Sequence, residues 1–307
     1  MRWSRRRVCI VRRGSSLTLD RERAVVSREL IIYGRVEVLR MLRTVLPCAL
    51  LLCSLPAIAD TGFLDRTVTI AGETYRYQVY LPVEWTPQQK WPVILYLHGA
   101  GARGSDGMSQ ANGAHAVAIR ADRTRFPAVF VLPQARPNTM FGTPAMQAMV
   151  LAQLDAALKE FNGDVDRVYL IGFSMGGAGV LRLAAQWPGR FAAAVDVAGF
   201  VRPDMPFLPQ QLVDEDRRIH SFLVSPNPYT AVAQRIRSLP MWDFHSNADE
   251  TVPVSESRQL IAALKNTGAV ARYSEYSGAN HGQTHVNVWA EQDLMSWLLA
   301  QRRRGRD

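Results

Sequence analysis

Four things are scarce in this chain of 307 residues, and each scarcity excludes something. Cysteine occurs only at Cys9, Cys48 and Cys53; residues 60–307 contain none, which removes disulfide frameworks and thiol catalysis from that part together. Long apolar runs are missing: the stretch from Val45 to Leu55 falls short of the roughly 20 residues a membrane-spanning helix needs. No period of roughly 20 to 50 residues repeats, so solenoids and propellers are excluded. Charge of one sign is scarce where it would matter. The net +9 is lopsided, with 12 of the 36 Lys and Arg but 4 of the 27 Asp and Glu in residues 1–59, leaving 24 against 23 for the rest. A nearly neutral body argues against a nucleic-acid partner, and Arg302, Arg303, Arg304 and Arg306 read as a solvated end. What remains is ordinary globular composition, 48% hydrophobic and 21% charged, so a packed core is expected.

From Met41 the chain reads as a secretory signal peptide: Arg43 near its start, the apolar stretch, then Ala57-Ile58-Ala59 as a small-x-small cleavage site before Asp60. Pro47 and Pro56 argue against a buried helix there. Forty arginine-rich residues precede Met41, which points to translation from Met41, an unusually long leader being the alternative. Residues 1–59 are therefore expected to be lost, by cleavage after Ala59. An exported protein, periplasmic or secreted, is expected, with no membrane span in the mature chain. Neither Cys48 nor Cys53 has the small residue before it that lipid acylation requires, so a free protein is expected rather than an anchored one.

Residues 60–307 are expected to form one domain in which β-rich and helical segments alternate. Val68 to Ala71 and Tyr75 to Leu81 flank Gly72-Glu73 as a hairpin. Predominantly apolar runs come next at Val93 to Leu97, Ala128 to Leu132, Val168 to Ile171, Ala192 to Val197 and Met241 to Phe244, with a more alternating Ala271 to Tyr276; such runs suit a parallel sheet covered on both faces. Helices are predicted over Ala145 to Phe161, Ala178 to Gln186, Ser255 to Thr267 and Gln292 to Ala300. This is an α/β pattern. Residues 200–239, with five prolines, break the alternation and read as a long loop, either a lid or surface padding.

The most informative residues are Gly172-Phe173-Ser174-Met175-Gly176-Gly177, between a predicted strand and a predicted helix. G-x-S-x-G in that context is a nucleophile elbow, which exposes Ser174 on a tight turn. A serine needs a base, and the base an orienting carboxylate. In the chain order Ser, acid, His, Asp249 after the strand Met241 to Phe244 is the chosen acid, ahead of Asp243 and Glu250, and His281 the chosen base, ahead of His285. The other four histidines, at 98, 115, 220 and 245, read as structural. The backbone N–H groups of Met175 and of Ala100, in the loop His98-Gly99-Ala100-Gly101, are placed to form an oxyanion hole. A metal on His281 and His285 is disfavoured, because Gly282 argues against a helix and no third ligand is evident.

These residues resemble the α/β-hydrolase superfamily, and more narrowly exported esterases related to phospholipase/carboxylesterase, feruloyl esterase and polyhydroxyalkanoate depolymerase proteins. The resemblance spans about residues 67–301. It rests on Tyr75 to Pro82, on Leu97 to Gly101 with Arg103 to Asp106, on Gly172 to Gly177, on Asp249 with Val252-Pro253, and on Gly278 with His281. It implies a mostly parallel eight-stranded sheet flanked by helices, and a serine esterase with Ser174, Asp249 and His281 as triad, an acyl-enzyme, no metal and no organic cofactor. Two departures matter: His245-Ser246, where relatives commonly have a glycine after the strand histidine, and, next to the site, Gly282 to His285, where many have a tryptophan.

Three rival readings arise. Gly99 to Gly104 matches G-x-G-x-x-G, but the run continues into Ser105-Asp106-Gly107 and the next strand ends in Leu132-Pro133-Gln134 without the acid a dinucleotide site wants. A non-catalytic binding protein on the same fold would be expected to lose one of Ser, acid or base. A serine peptidase of this fold remains the competitor within hydrolases; with no propeller or large accessory domain in this length, small-molecule or polymeric esters are favoured as substrate.

Overall fold

The strands form because β-branched and aromatic residues recur in runs that can be covered on both sides. In the computed structural model, which describes residues 61–303, eight strands form one sheet in the order β1-β2-β4-β3-β5-β6-β7-β8. They are β1 (Gly62–Ile70), β2 (Glu73–Leu81), β3 (Trp91–Leu97), β4 (Val129–Pro133), β5 (Gly163–Phe173), β6 (Ala193–Val197), β7 (Met241–Ser246) and β8 (Ala271–Tyr276). The hairpin β1–β2 joins the sheet antiparallel to β4, and the pairs from β4 through β8 are parallel. β1 begins six residues before the predicted Val68, because each of its residues finds a partner on β2, from Gly62 opposite Leu81 to Ile70 opposite Glu73.

Alternation along β3 divides the core between two faces. Val93, Leu95 and Leu97 join one buried cluster, while Ile94 and Tyr96 join the other. The first face is covered by α2 (Pro144–Glu160), α3 (Met175–Gln186), α5 (Pro228–Ile236) and α6 (Ser255–Asn266), with α4 (Gln210–Ile219) beside them. The second is covered by α1 (Ala114–Ala121), α7 (His281–Ala290) and α8 (Asp293–Leu299).

Outside residues 200–239, two helices have no counterpart in the predicted pattern, α1 and α7. The second corrects the argument from Gly282: His281 is the first residue of a helix, held by a reciprocal cap in which Asn280 Oδ1 accepts the Gln283 N–H at 2.9 Å and Gln283 Oε1 accepts the Asn280 N–H at 3.0 Å. A glycine next to a cap costs less than a glycine mid-helix, so it did not stop this one. Residues 200–239 are also corrected. They are not a structureless loop but carry α4 and α5, and two of the prolines that break the sequence pattern stand where a helix tolerates them, Pro209 at the N-cap of α4 and Pro228 in the first turn of α5.

This segment is fixed by buried charge. Arg182 of α3, 0% exposed, donates to both carboxylate oxygens of Asp216 on α4, with Nη2 to Oδ2 at 2.6 Å, and to the carbonyls of Phe200 and Val201 at 2.8 and 3.1 Å. Glu256 of α6, itself buried, accepts the N–H groups of Val201 and Arg202 and the Tyr229 hydroxyl. At the chain's other end, Arg303 is half-buried and pairs with Asp166 at 2.8 Å, while Arg302 is exposed. The cleavage site after Ala59, the start at Met41, the three cysteines and Arg304 and Arg306 lie outside the described residues.

The strand order places the site. Sequence order reverses at β3, whose neighbours are β4 on one side and β5 on the other; in open α/β sheets ligands bind beyond the carboxyl ends of the strands at such a switch point. Leu97 and Gly172 are paired there, so the loops opening at His98 and Ser174 leave the sheet side by side.

Candidate active site

Ser174 comes directly after β5 and takes φ 57° and ψ −117° before α3 begins at Met175. A non-glycine residue in that conformation is strained by about 1–3 kcal/mol. The strain is held because Ser174 N–H donates to Val197 O at 2.8 Å and because the turn's neighbours leave no alternative. A Cβ on Gly172 would stand 2.2 Å from Gly176 O, and one on Gly176 would stand 2.0 Å from Leu97 O. Both glycines are therefore required by close backbone approach. Ser174 ends 6% exposed, at the positive end of a twelve-residue helix.

The loop after β7 presents Asp249, whose side chain is fully buried. Its Oδ1 accepts the N–H groups of Thr251 and Val252, each at 2.9 Å, and its Oδ2 accepts His281 Nδ1–H at 2.6 Å. Burial opposes ionisation here, but the hydrogen bonds from His245, His281 and the Val252 amide outweigh it and hold the carboxyl well below the ordinary range. The loops bearing acid and histidine are tied to each other: Asn247 N–H donates to Tyr276 O at 3.1 Å, and Gly278 N–H to Asn247 Oδ1 at 3.1 Å. His281 keeps 17% of its side chain exposed, and its ring packs against Phe173, the residue before Ser174, at 4.8 Å between centroids. With Nδ1–H committed to Asp249, Nε2 of the neutral ring carries the free lone pair.

The structure thus brings Asp249 and His281 into direct contact and sets Phe173, the residue before Ser174, against the histidine ring. It separates the runners-up. Asp243 is fully buried in β7, pushed up to about 7 by burial, and Glu250 is exposed. His285, one turn along α7 from His281, lies with Nε2 2.8 Å from Tyr96 Oη and its ring stacked on Phe173; burial pushes it down to about 4. Among the described residues no three His, Cys, Asp or Glu side chains converge as a metal site.

The two candidate oxyanion donors sit at helix starts, where the first N–H groups have no intrahelical acceptor. Met175 opens α3, and Ala100 opens a short turn, Ala100–Ala102. His98 fixes the second loop. Its Nε2 accepts the Ala135 N–H at 3.0 Å, so Nδ1 carries the proton and donates to Gly99 O at 2.7 Å. Burial keeps this ring neutral, down to about 4.

One contact was not anticipated. His245, read as structural, stands four residues before Asp249 and touches it: Nε2 lies 3.3 Å from Oδ2 and 3.0 Å from Val252 O, while Nδ1 accepts the Ser257 hydroxyl at 2.7 Å. A strand's last turns bring positions four apart together only once the following loop folds back, so spacing alone carries no signal of it.

The chain is similar to known proteins. The family model described as the prolyl oligopeptidase family matches residues 149–303, half of the chain. A protein named as an esterase, NocK of Nocardia uniformis subsp. tsuyamanensis, is 33% identical over 148 residues, 46% of this chain and 43% of that one. An uncharacterized secreted protein of Arthroderma benhamiae is 24% identical over 243 residues, 76% of this chain and 26% of its own length. The chain therefore spans less than half the length of both relatives. Among solved structures, a thermostable esterase superposes with a TM-score of 0.63 at 26% identity, covering 78% of this chain and 63% of that one. The fold is the α/β-hydrolase fold.

Proposed function

Because the chain belongs to the prolyl oligopeptidase family, we propose that it is a serine hydrolase of carboxylic esters, working through Ser174, His281 and Asp249. The observation that carries the reading is the 2.6 Å bond from His281 Nδ1 to a buried Asp249 carboxylate, with the His281 ring packed on Phe173, the residue before a serine in the strained elbow conformation. His281 Nε2 takes the Ser174 proton as Oγ attacks the ester carbonyl, and Asp249 fixes the tautomer and stabilises the imidazolium that forms. The Met175 and Ala100 N–H groups meet the developing oxyanion, with the positive end of α3 behind them. His281 then protonates the leaving alcohol. A water deprotonated by the same ring releases the acid from the acyl-enzyme. The ester assignment draws on NocK and the thermostable esterase, both named for that activity.

A serine peptidase is the second reading, favoured by the family that matches. We place the protein outside the cytoplasm, on the signal-peptide pattern of residues 41–59 and a relative named as secreted. Among the described residues no helix is long and apolar enough to cross a membrane.

The test is hydrolysis by the full-length chain of p-nitrophenyl esters of increasing acyl length beside peptidyl p-nitroanilides, with Ser174→Ala and fluorophosphonate labelling read by mass spectrometry. Ester turnover with Ser174 labelled supports the first reading, and preference for the anilides supports the second. Folded protein that neither labels nor turns over any substrate defeats both.

A further inference from the structure

Against the loop bearing Ala100 lies a cavity of about 240 Å³. Gly99 and Gly101 line it from that loop, and Phe173, the residue before Ser174, lines it as well. Its aromatic wall is rigid. His285 stacks on Phe173 at 4.2 Å and bonds to the Tyr96 hydroxyl, and Tyr96 in turn lies 3.9 Å from the His115 ring.

Two lining side chains stand apart. Gln110 is 1% exposed and His115 is 0% exposed, and neither amide atom of Gln110 nor either ring nitrogen of His115 has a hydrogen-bond partner. The Gln110 backbone lies near the His115 ring without the geometry of a hydrogen bond. Buried polar atoms in native proteins are nearly always paired, and one without a partner calls for an explanation. Packing alone does not supply it, because leucine or phenylalanine would fill the same space without stranding four polar atoms.

The chemistry of the lining selects the partner. No Asp, Glu, Lys or Arg lines the cavity, and burial, with His285 and His98 nearby, holds His115 well below the usual histidine range and so uncharged. A phosphate, carboxylate or ammonium group would enter without a counter-charge. Gln110 and a neutral His115 each offer a donor and an acceptor, and a hydroxyl is the small neutral group that donates and accepts at once. At about 240 Å³ the cavity lies below the range of whole small-molecule sites, so it suits one substituent.

We propose that this cavity is a subsite for a hydroxyl-bearing substituent of the substrate, with Gln110 and His115 as the groups that recognise the hydroxyl. The inference rests on the reading of Ser174 as nucleophile. The hydroxyl belongs to either the acyl or the alcohol part of the ester, and the test separates the two.

Rates are compared in matched pairs: methyl 4-hydroxycyclohexanecarboxylate against methyl cyclohexanecarboxylate for the acyl part, and 4-hydroxycyclohexyl acetate against cyclohexyl acetate for the alcohol part. The full-length protein is expected to favour the hydroxylated member of one pair in kcat/KM by about tenfold or more. Gln110→Met and His115→Phe are each expected to bring that ratio towards unity. Ratios near unity in both pairs, as when the cavity simply holds water, overturn the proposal; so does a preference for the deoxy member, or a ratio the two substitutions leave intact.

A second arm needs neither turnover nor a variant of the cavity. In Ser174→Ala, the His115 ring nitrogens are followed by NMR during titration with cyclohexanol and with methoxycyclohexane, which lacks the donor. A saturable shift with cyclohexanol alone supports the subsite even if no ester is hydrolysed, in which case the serine-hydrolase reading fails by itself. No shift with either compound defeats the subsite while leaving that reading to its own test.

Discussion

Replacing Asp249 by asparagine removes one charge and almost no volume, and the local geometry decides how the site responds. Asp249 Oδ1 accepts two backbone N–H groups at 2.9 Å, and Oδ2 faces His281 Nδ1 at 2.6 Å and His245 Nε2 at 3.3 Å. An asparagine has one oxygen for these two duties. Keeping it on the Thr251 and Val252 amides preserves both backbone bonds and turns the NH₂ towards His281. Nδ1 must then accept, the ring proton moves to Nε2, and the ring can no longer take a proton from Ser174. The flipped amide would strand two buried N–H donors, so the first arrangement prevails. A wrong histidine tautomer costs about 10⁴ in kcat, equivalent to about 5.5 kcal/mol of transition-state stabilisation. The fold should survive, since the loop keeps its two backbone bonds. The assay is steady-state hydrolysis of p-nitrophenyl acetate, with circular dichroism and urea unfolding to establish that Asp249→Asn is native. A folded variant that loses less than about tenfold would refute the assignment of Asp249 as the orienting carboxylate.

Three further outcomes are expected. Asp216→Ala strands the buried Arg182 guanidinium and should lower unfolding free energy by about 3–5 kcal/mol in urea titration, whereas Arg182→Met with Asp216→Leu should recover most of that; a single-variant loss below about 1 kcal/mol would mean the pair behaves like an exposed one. Gly176→Ala puts a Cβ 2.0 Å from Leu97 O, a backbone atom that cannot yield, so soluble native protein should be lost; a normal yield with normal activity contradicts the close packing of the elbow. Burial holds His98 and His285 at about 4, below the roughly 6.5 of an unfolded chain, so between those values the unfolded state binds the extra protons. Stability from these two rings is complete above about pH 6.5 and is lost as pH falls towards about 4, by up to about 1.4 kcal/mol per ring per pH unit. Urea midpoints at pH 7 and pH 5 test this, and His98→Gln should flatten the slope.

Much of the site was legible because its chemistry is local. The elbow is six consecutive residues, two of whose three glycines answer to contacts that a tight turn always makes, and Asp249 and His281 each stand just past a strand whose pattern is plain in the chain. The α/β pattern was legible for the same reason: a strand buried on both faces has to be largely apolar, and β3 and β4 and the central parts of β5 to β7 are. Where local pattern and local structure part, the reading failed in specific ways. Gly282 argued against a helix, yet the Asn280–Gln283 cap and the burial of Val288 and Trp289 at the far end of α7 outweigh one glycine. Five prolines argued for a loop, yet two of them open helices, the first of which, α4, a buried Arg182–Asp216 pair fastens to α3.

What the sequence determined by itself, then, is whatever depends on neighbours along the chain: hydrophobic period, turn chemistry, and the order serine, acid, histidine. What the tertiary structure alone decided is whatever depends on neighbours in space. The contact of His245 with Asp249, the stacking of His285 on Phe173 and the convergence of Gln110 and His115 on one cavity join residues from separate elements, and no spacing rule relates them. Their partners are set by how β3 and β5 lie together at the reversal of strand order, where loops distant along the chain meet above one edge of the sheet.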